Sequence, residues 1–312
     1  MIPLFRIVAM KESIKKALDK SKLGRILIQF WRVYKIMFQQ NPNVIAWSDA
    51  LCAEEKAVLA DKMQDFISKN FFSIPCGSEN LKFHYDNYLT LYRAKTLLTK
   101  EPETIDWLDS FQEGACLWDI GANVGLYSCY AAKIRGCSVF AFEPSILNLE
   151  LLGKNIYLNE LQDSVHIVPV ALSSANGFST FLMTETAHGG ADSTFGAGIG
   201  FDGKPICESK LSYSLLGLSG DSLLAATGMP CPNHIKIDVD GIEHIVLAGM
   251  KDIFKMPSVK SCLIEANDAY GEQVDGIKKI MQECGFTLKE KKHSDFFNTG
   301  AYSSVYNQIW VR

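Results

Sequence analysis

From Cys116 onward the chain alternates short apolar runs with amphipathic stretches, and this limits the folds open to it more than any other feature. The runs CLWDI, SVFAFE and VHIVPVAL are separated by VGLYSCYAAKI and ILNLELLGKNIYL. Short apolar runs between longer helical periods read as buried strands joined by helices. The series is β-α-β-α-β, which predicts an α/β fold with a mainly parallel sheet covered on both faces. HIKIDV, IEHIVLAGM, SCLIEAN, DGIKKIMQECG, FTLKEKK and SVYNQIWVR continue it as strand, helix, strand, helix and two closing strands.

Residues 1–115 read as helical, without strong strand alternation. LGRILIQFWRVYKIMFQQ sets Leu23, Leu27, Phe30, Tyr34 and Met37 on one face, and Asn41-Pro42 ends that helix. A second helix follows Ser48 as N-cap. DNYLTLYRAKTLL and PETIDWLDSF supply two shorter ones. The expected division is therefore a helical N-terminal cap or extension over 1–115 and an α/β domain over 116–312. Between Ser173 and Gly220 the pattern breaks. GFSTFLMTE alternates like an exposed strand, and AHGGADSTFGAGIGFDG reads as a long loop, usually functional or disordered beside a compact sheet.

Composition narrows the function. A chain of 312 residues with 47% hydrophobic residues can build a sizeable core without staples. Its nine cysteines form no CxxC pair and are odd in number, which suits reduced thiols in the cytoplasm better than disulfides or zinc. No apolar run approaches the roughly 18 residues of a spanning helix, and MIPLFRIVAMKES makes a poor signal peptide. A net charge of −4 argues against a nucleic-acid binder. Residues 1–40 nonetheless hold nine Lys/Arg against two Asp/Glu. That segment reads either as a cap or dimer contact, or as an interfacial helix drawn to anionic lipid.

LWDIGANVG, at the junction of the first strand and first helix, has the grammar of a nucleotide cradle. A dinucleotide dehydrogenase would show GxGxxG there, with backbone amides meeting a pyrophosphate. Here the acid comes first: Asp119, then Gly121, then Gly125. A carboxylate at that strand end repels phosphate and suits a ligand carrying an ammonium group, such as S-adenosylmethionine. Glu143 ends the second strand in SVFAFEPS, where an acid accepts hydrogen bonds from ribose hydroxyls. Two further readings stand beside this one: an NAD-linked oxidoreductase on a Rossmann sheet, and a catalytically silent cofactor-binding module.

LWDIGANVGLYS, FAFEPS, NLELLGKNIYLNEL, VPVALSSANG and IKIDVDGIEHIVLAGM together resemble the FkbM-type family of S-adenosylmethionine-dependent methyltransferases, over roughly Cys116 to Asn267. The resemblance implies a Rossmann-like class I sheet of seven strands, the last antiparallel, and O-methylation of a small-molecule or carbohydrate hydroxyl. It also implies that Asp119, Gly121, Ala122, Asn123 and Gly125 line the methionine half of the cofactor. Glu143 would hold the ribose, Pro144 and Ser145 would shape the turn beside the adenine, and Ala171 would approach the adenine. Asn155 and Asn159 read as support for helix and loop.

HIKIDVDGIEH gathers Asp238, Asp240, Glu243 and His244 at one strand end. Asp238 is the first candidate for general base or hydroxyl clamp, with Asp240 and Glu243 next. Glu265 and Asn267 come from the neighbouring strand end, and with Asp238 they offer oxygen ligands for Mg²⁺. Asp221 reads as an N-cap or an active-site lip. In the glycine-rich loop His188, Asp192 and Ser193 are the candidate substrate contacts, alongside Asn267.

Overall fold

In the computed structural model, which describes residues 52–312, the chain divides into two compact units that meet between Lys69 and Asn70. The described part of the first unit is helix α1 (Ala53–Ser68). The basic helix expected over Leu23 to Phe38 and the cap at Ser48 lie outside the described residues.

The second unit opens with an antiparallel hairpin, β1 (Phe71–Cys76) and β2 (Glu79–His84), turned at Gly77 with φ 63°. This corrects the expectation of helix alone before residue 116. Leu81 and Phe83 bury one face of the hairpin. Helix α2 (Tyr88–Thr96) starts at a capping box between Asn87 and Thr90, and α3 (Pro102–Asp109) carries proline in its first turn.

The main sheet is built from β3 (Cys116–Ile120), β4 (Ser138–Phe142), β5 (Val165–Val168), β10 (His234–Ile237), β11 (Ser261–Asn267), β12 (Thr287–Lys292) and β13 (Val305–Val311). Its order is β12-β13-β11-β10-β3-β4-β5, and only β13, the last in the chain, runs antiparallel to its neighbours. Alternate residues enter opposite cores. Leu117, Val139 and Leu263 join a cluster that includes Phe83, Trp107 and Leu152, whereas Trp118, Phe142, Ile235 and Ile264 join one with Val246, Phe254 and Ile277. Burial on both faces is why these strands lack polar alternation.

Helix α4 (Leu126–Arg135) follows β3, and α5 (Ile146–Leu158), capped by Ser145, follows β4. Asn155 and Asn159 on α5 are support, as expected. Asn155 accepts from the His84 amide and donates to the Val124 carbonyl, while Asn159 clasps both backbone groups of Lys82.

The stretch between Ser173 and Gly220 is more ordered than its composition suggests. A second sheet of four strands, in the order β6-β9-β7-β8, comprises β6 (Ala171–Leu172), β7 (Gly177–Met183), β8 (Ser193–Phe195) and β9 (Leu211–Leu218). It splits the expected long loop into two, over 184–192 and 196–210. Helices α6 (Gly220–Thr227), α7 (Glu243–Ala248), α8 (Lys251–Lys255) and α9 (Gly271–Glu283) complete the unit. Asp221 accepts from the amides of Asp252 and Ile253, so it caps α8 and forms no active-site lip. No disulfide joins the described cysteines, and among the described residues no helix is long and apolar enough to cross a membrane.

Candidate active site

The strand order reverses between β3 and β10, and open α/β sheets bind ligands outside the carboxyl ends of strands at such a point. There a cavity of about 580 Å³, open to solvent, is bounded by the ends of β3, β4 and β10 and by the second sheet. Gly121, Asn123, Glu143, Pro144, Ser145, Ala171, Ser193, Asp238 and Asp240, all expected at the site, line it. Phe142, Phe181, Phe195, Leu172 and Ile242 supply apolar walls.

The close approach of the chain leaving β3 to the chain leaving its parallel neighbour β10 explains the glycine after the acid. Gly121 has φ +84°, and a Cβ there would lie 1.8 Å from the Asp238 carbonyl oxygen. No other residue fits. Gly125 does not line the cavity. It holds a left-handed φ of +82° at the start of α4, where a Cβ would meet Leu152. The amides of Gly121 and Ala122 both donate to the Phe142 carbonyl, so Ala122 joins two strand ends instead of facing the cavity.

Asp119 is 1% exposed and lies one residue behind the lining. Its Oδ2 accepts from Ser128 Oγ at 2.6 Å, but its Oδ1 is buried without a partner. Burial raises its pKa above the usual carboxylate value, partly offset by Lys236 and Ser128. A buried carboxylate oxygen left unpartnered beside an open cavity fits a ligand that brings an ammonium group. Glu143 accepts from the amides of Asn123 (2.7 Å) and Ser145 (2.8 Å), one to each oxygen. Those bonds hold its carboxyl at the cavity wall with lone pairs to spare for two hydroxyl donors.

The carboxylates expected to do chemistry separate into two groups. Asp238, Asp240 and Glu265 come together, with one oxygen from each within 4.8 Å of the others. Asp238 Oδ2 is 2.7 Å from Lys236 Nζ, and Asp240 Oδ2 accepts from the Ser193 amide at 3.3 Å. Burial and then the neighbouring acids raise the pKa of Asp240 and of Glu265. Glu243 stands apart. It is fully buried, accepts from the Val239 and Gly241 amides and from Gln273 Nε2, and clamps the turn ahead of α7. It is therefore removed from the chemical candidates. His244 lies edge-on to Tyr270.

Asn267 also departs from expectation. It is 3% exposed, donates to the Phe201 carbonyl, and its Oδ1 accepts from the Ala269 amide and Ser304 Oγ. Its oxygen is spent, so the expected set of Asp238, Glu265 and Asn267 is not assembled for a metal. Asp240 takes the third place, and Lys236 already supplies a counter-charge to Asp238.

The glycine-rich loop reaches the site through its backbone. His188 pairs with Asp86 and lies 3.7 Å from Glu150, outside the lining of the cavity, so it anchors the loop instead of facing the site as expected. That pairing raises its pKa. Gly190 does line the cavity. Its carbonyl accepts from Asn123 Nδ2 and Asn148 Nδ2, while the Gly189 amide donates to Asn148 Oδ1. Asp192 accepts from Tyr302 Oη, whose ring stacks on Phe201 at 4.6 Å.

Asn148, Lys236 and the second-sheet phenylalanines were not among the sequence candidates. Asn148 sits three residues after the Ser145 cap, where the chain returns toward the cavity. Lys236 is the one charge inside the apolar run HIKI. Each was a readable signal.

A parallel sheet whose last strand runs antiparallel, with an acid and a glycine at the first strand end and an acid at the second, defines a class I S-adenosylmethionine-dependent methyltransferase. The model of the methyltransferase FkbM domain matches residues 119–288, more than half of the chain, and the chain belongs to that family. It is 28% identical over 211 residues to the hexuronic acid methyltransferase AglP of Haloferax volcanii, covering 68% of this chain and 80% of that protein. It is 24% identical over 206 residues to the 31-O-demethyl-FK506 methyltransferase FkbM of Streptomyces tacrolimicus, covering 60% and 78%. Among solved structures, a putative tRNA (m1A22) methyltransferase from Streptococcus pneumoniae in complex with S-adenosyl-L-methionine aligns with a TM-score of 0.40 at 12% identity, over 67% of this chain and 72% of that one.

Proposed function

We propose that this methyltransferase acts on a hydroxyl oxygen of a small-molecule or carbohydrate acceptor. The observation that carries the reading is the opening of the cofactor cavity onto Asp238 and Asp240, with Glu265 beside them. When bound, the cofactor supplies an activated methyl group on a sulfonium. The residues here must align an acceptor oxygen and take its proton. Asp238 is the residue for that proton, since it lines the cavity and Lys236 pins only one of its two oxygens. Alignment contributes more than the base. Orientation is worth roughly 7–11 kcal/mol, whereas a general base gives about 10²–10⁴-fold.

The stacked Phe201–Tyr302 pair and the carboxylates near it suit a ring with hydroxyl groups, which offers apolar faces and hydrogen-bond donors. The named substrates of the two relatives, a hexuronic acid and 31-O-demethyl-FK506, also favour hydroxylated acceptors. No metal enters this reading. The family assignment removes the NAD-linked alternative, and the retained acids speak against a silent module. The cytoplasm remains the proposed location, and residues 1–40 are read either as a cap or dimer contact or as an interfacial segment drawn to anionic lipid.

The test is a screen of hydroxylated metabolites and glycans with methyl-labelled cofactor, followed by mild alkali. An ether methyl on a hydroxyl survives alkali, whereas a methyl ester on a carboxyl is released, and release would overturn the proposed acceptor. On the acceptor found, Asp238→Asn should lower kcat by about 100-fold or more with S-adenosylhomocysteine affinity nearly intact.

A further inference from the structure

Lys236 is 2% exposed and lies in the middle of the sheet, where an isolated ammonium would be prohibitively costly. Its neighbours explain its presence. It pairs in register with Asp119 on the adjacent parallel strand β3, so the two side chains leave the same face side by side. Its Nζ is 2.7 Å from Asp238 Oδ2 and lies 5.3 Å from the centre of the Tyr127 ring on α4. Ahead of α3, Glu101 faces it, itself buried and held by Tyr127 Oη at 2.8 Å and Lys100 Nζ at 2.9 Å. Glu265 on β11 completes the charged set, acting on both Asp238 and Glu101.

We propose that Lys236 is the positioning residue of the cofactor site: a built-in ammonium that holds Asp119 as the counter-charge for the cofactor's α-amino group. The inference rests on the methyltransferase reading and adds a role to a buried residue that does not line the cavity. Asp119 has one oxygen fixed by Ser128 and one unpartnered. Ser128 supplies a single hydrogen bond but no charge, so the cation that offsets the burial of this carboxylate is Lys236. Burial opposes charge on Lys236, but Asp238, Asp119 and Glu101 outweigh it and keep the ammonium above the ordinary lysine range. It stays protonated across the working range of an enzyme and never becomes the titrating member. Without it, Asp119 would sit beside Asp238 with no nearby cation and would hold a proton more tightly.

The test compares two ligands by calorimetry from about pH 6 to about 8.5. S-adenosylhomocysteine keeps the amino-acid half, and 5′-deoxy-5′-methylthioadenosine lacks it. For Lys236→Met, the ratio of its Kd for S-adenosylhomocysteine to that of the wild type should lie within about threefold at pH 8.5 and grow to about tenfold or more at pH 6. The same ratio for methylthioadenosine should stay level, and Lys236→Arg should restore the wild-type profile. Lys236→Met removes one of the two cations facing Glu101 and leaves it only Lys100, so the double variant Glu101→Gln/Lys236→Met is measured beside it and held to the same ratios. A ratio independent of pH, or one that moves equally for both ligands, overturns the proposal and leaves Lys236 as packing. A wild type that binds neither ligand overturns the cofactor reading itself, which is a different result.

Discussion

Glu143 is 5% exposed at the end of β4, and burial pushes its carboxyl up to about 7 although two backbone amides and the Asn148 side chain favour its charge. In the ligand-free protein its contribution to stability is that of a raised acid. The fold holds a proton that the unfolded chain, near its ordinary value of 4.5, releases. That contribution is full below about 4.5 and is lost as pH rises through about 7. Hydroxyl donors on a ribose reverse the preference, because they need the ionised carboxylate. Affinity for S-adenosylhomocysteine should therefore tighten as pH rises through 7, by up to about tenfold per unit below it. Calorimetry in buffers of different ionisation enthalpy should show proton release on binding near pH 6.5, and Glu143→Gln should abolish it. A flat pH profile in the wild type would detach Glu143 from the ribose.

At the level of elements, the cofactor wall is borrowed from outside the main sheet. Asn148 in the first turn of α5 bonds both Gly189 and Gly190, and Asn123 bonds Gly190 again, so the loop over 184–192 is tied to two elements of the cradle. Asn148→Ala removes two of those bonds. Amide exchange should then rise across residues 187–192 while β3, β4 and β10 stay protected, and S-adenosylhomocysteine affinity should fall about three- to tenfold. Unchanged exchange in the loop would show that Asn123 and the anchors at His188 and Arg93 suffice. This wall is also where the sequence was hardest to read. Buried parallel strands such as CLWDI and HIKI announce themselves as unbroken apolar runs. Strand β9, LSYSLLGL, is half-exposed, and its partner β7 lies some 30 residues back, so its role depends on a long-range pairing that local pattern does not encode. The hairpin FFSIPCGSENLKFH has the same difficulty. Its first strand buries only Ile74, and Leu81 and Phe83 alternate too briefly to outweigh the helices on either side. Motif order, by contrast, set Asp119, Gly121, Glu143 and Asp238 at the ends of β3, β4 and β10, where the structure has them, because an acid or a glycine ending an apolar run stands out in the sequence. Proximity in sequence misled at Glu243. It sits in the same acidic motif, but the turn beginning α7 points it into the protein.

Across the whole molecule, every residue assigned to the cofactor or to the chemistry falls within the compact unit Asn70–Arg312. That unit includes the hairpin and α2, whose neighbours Asp86, Asn87 and Arg93 anchor the cofactor loop, so a division at residue 116 would cut away part of the site's support. A fragment covering residues 70–312 should consequently fold and bind S-adenosylhomocysteine within about threefold of the full chain, since it keeps the cradle contacts found among the described residues. A fragment starting at residue 116 exposes the apolar face that Phe83, Leu97 and Leu108 cover, and strands the side-chain bonds of Asn155 and Asn159. It should lose cooperative unfolding or bind at least about tenfold more weakly. Thermal melts and calorimetry on the three chains decide between the boundaries. Equal binding by the shorter fragment would show that the hairpin and the following helices are dispensable and return the boundary to residue 116. The longer fragment also separates chemistry from address. It lacks the basic segment over 1–40, so it should lose sedimentation with anionic vesicles while keeping its affinity for the cofactor product, if that segment carries the membrane contact proposed for it.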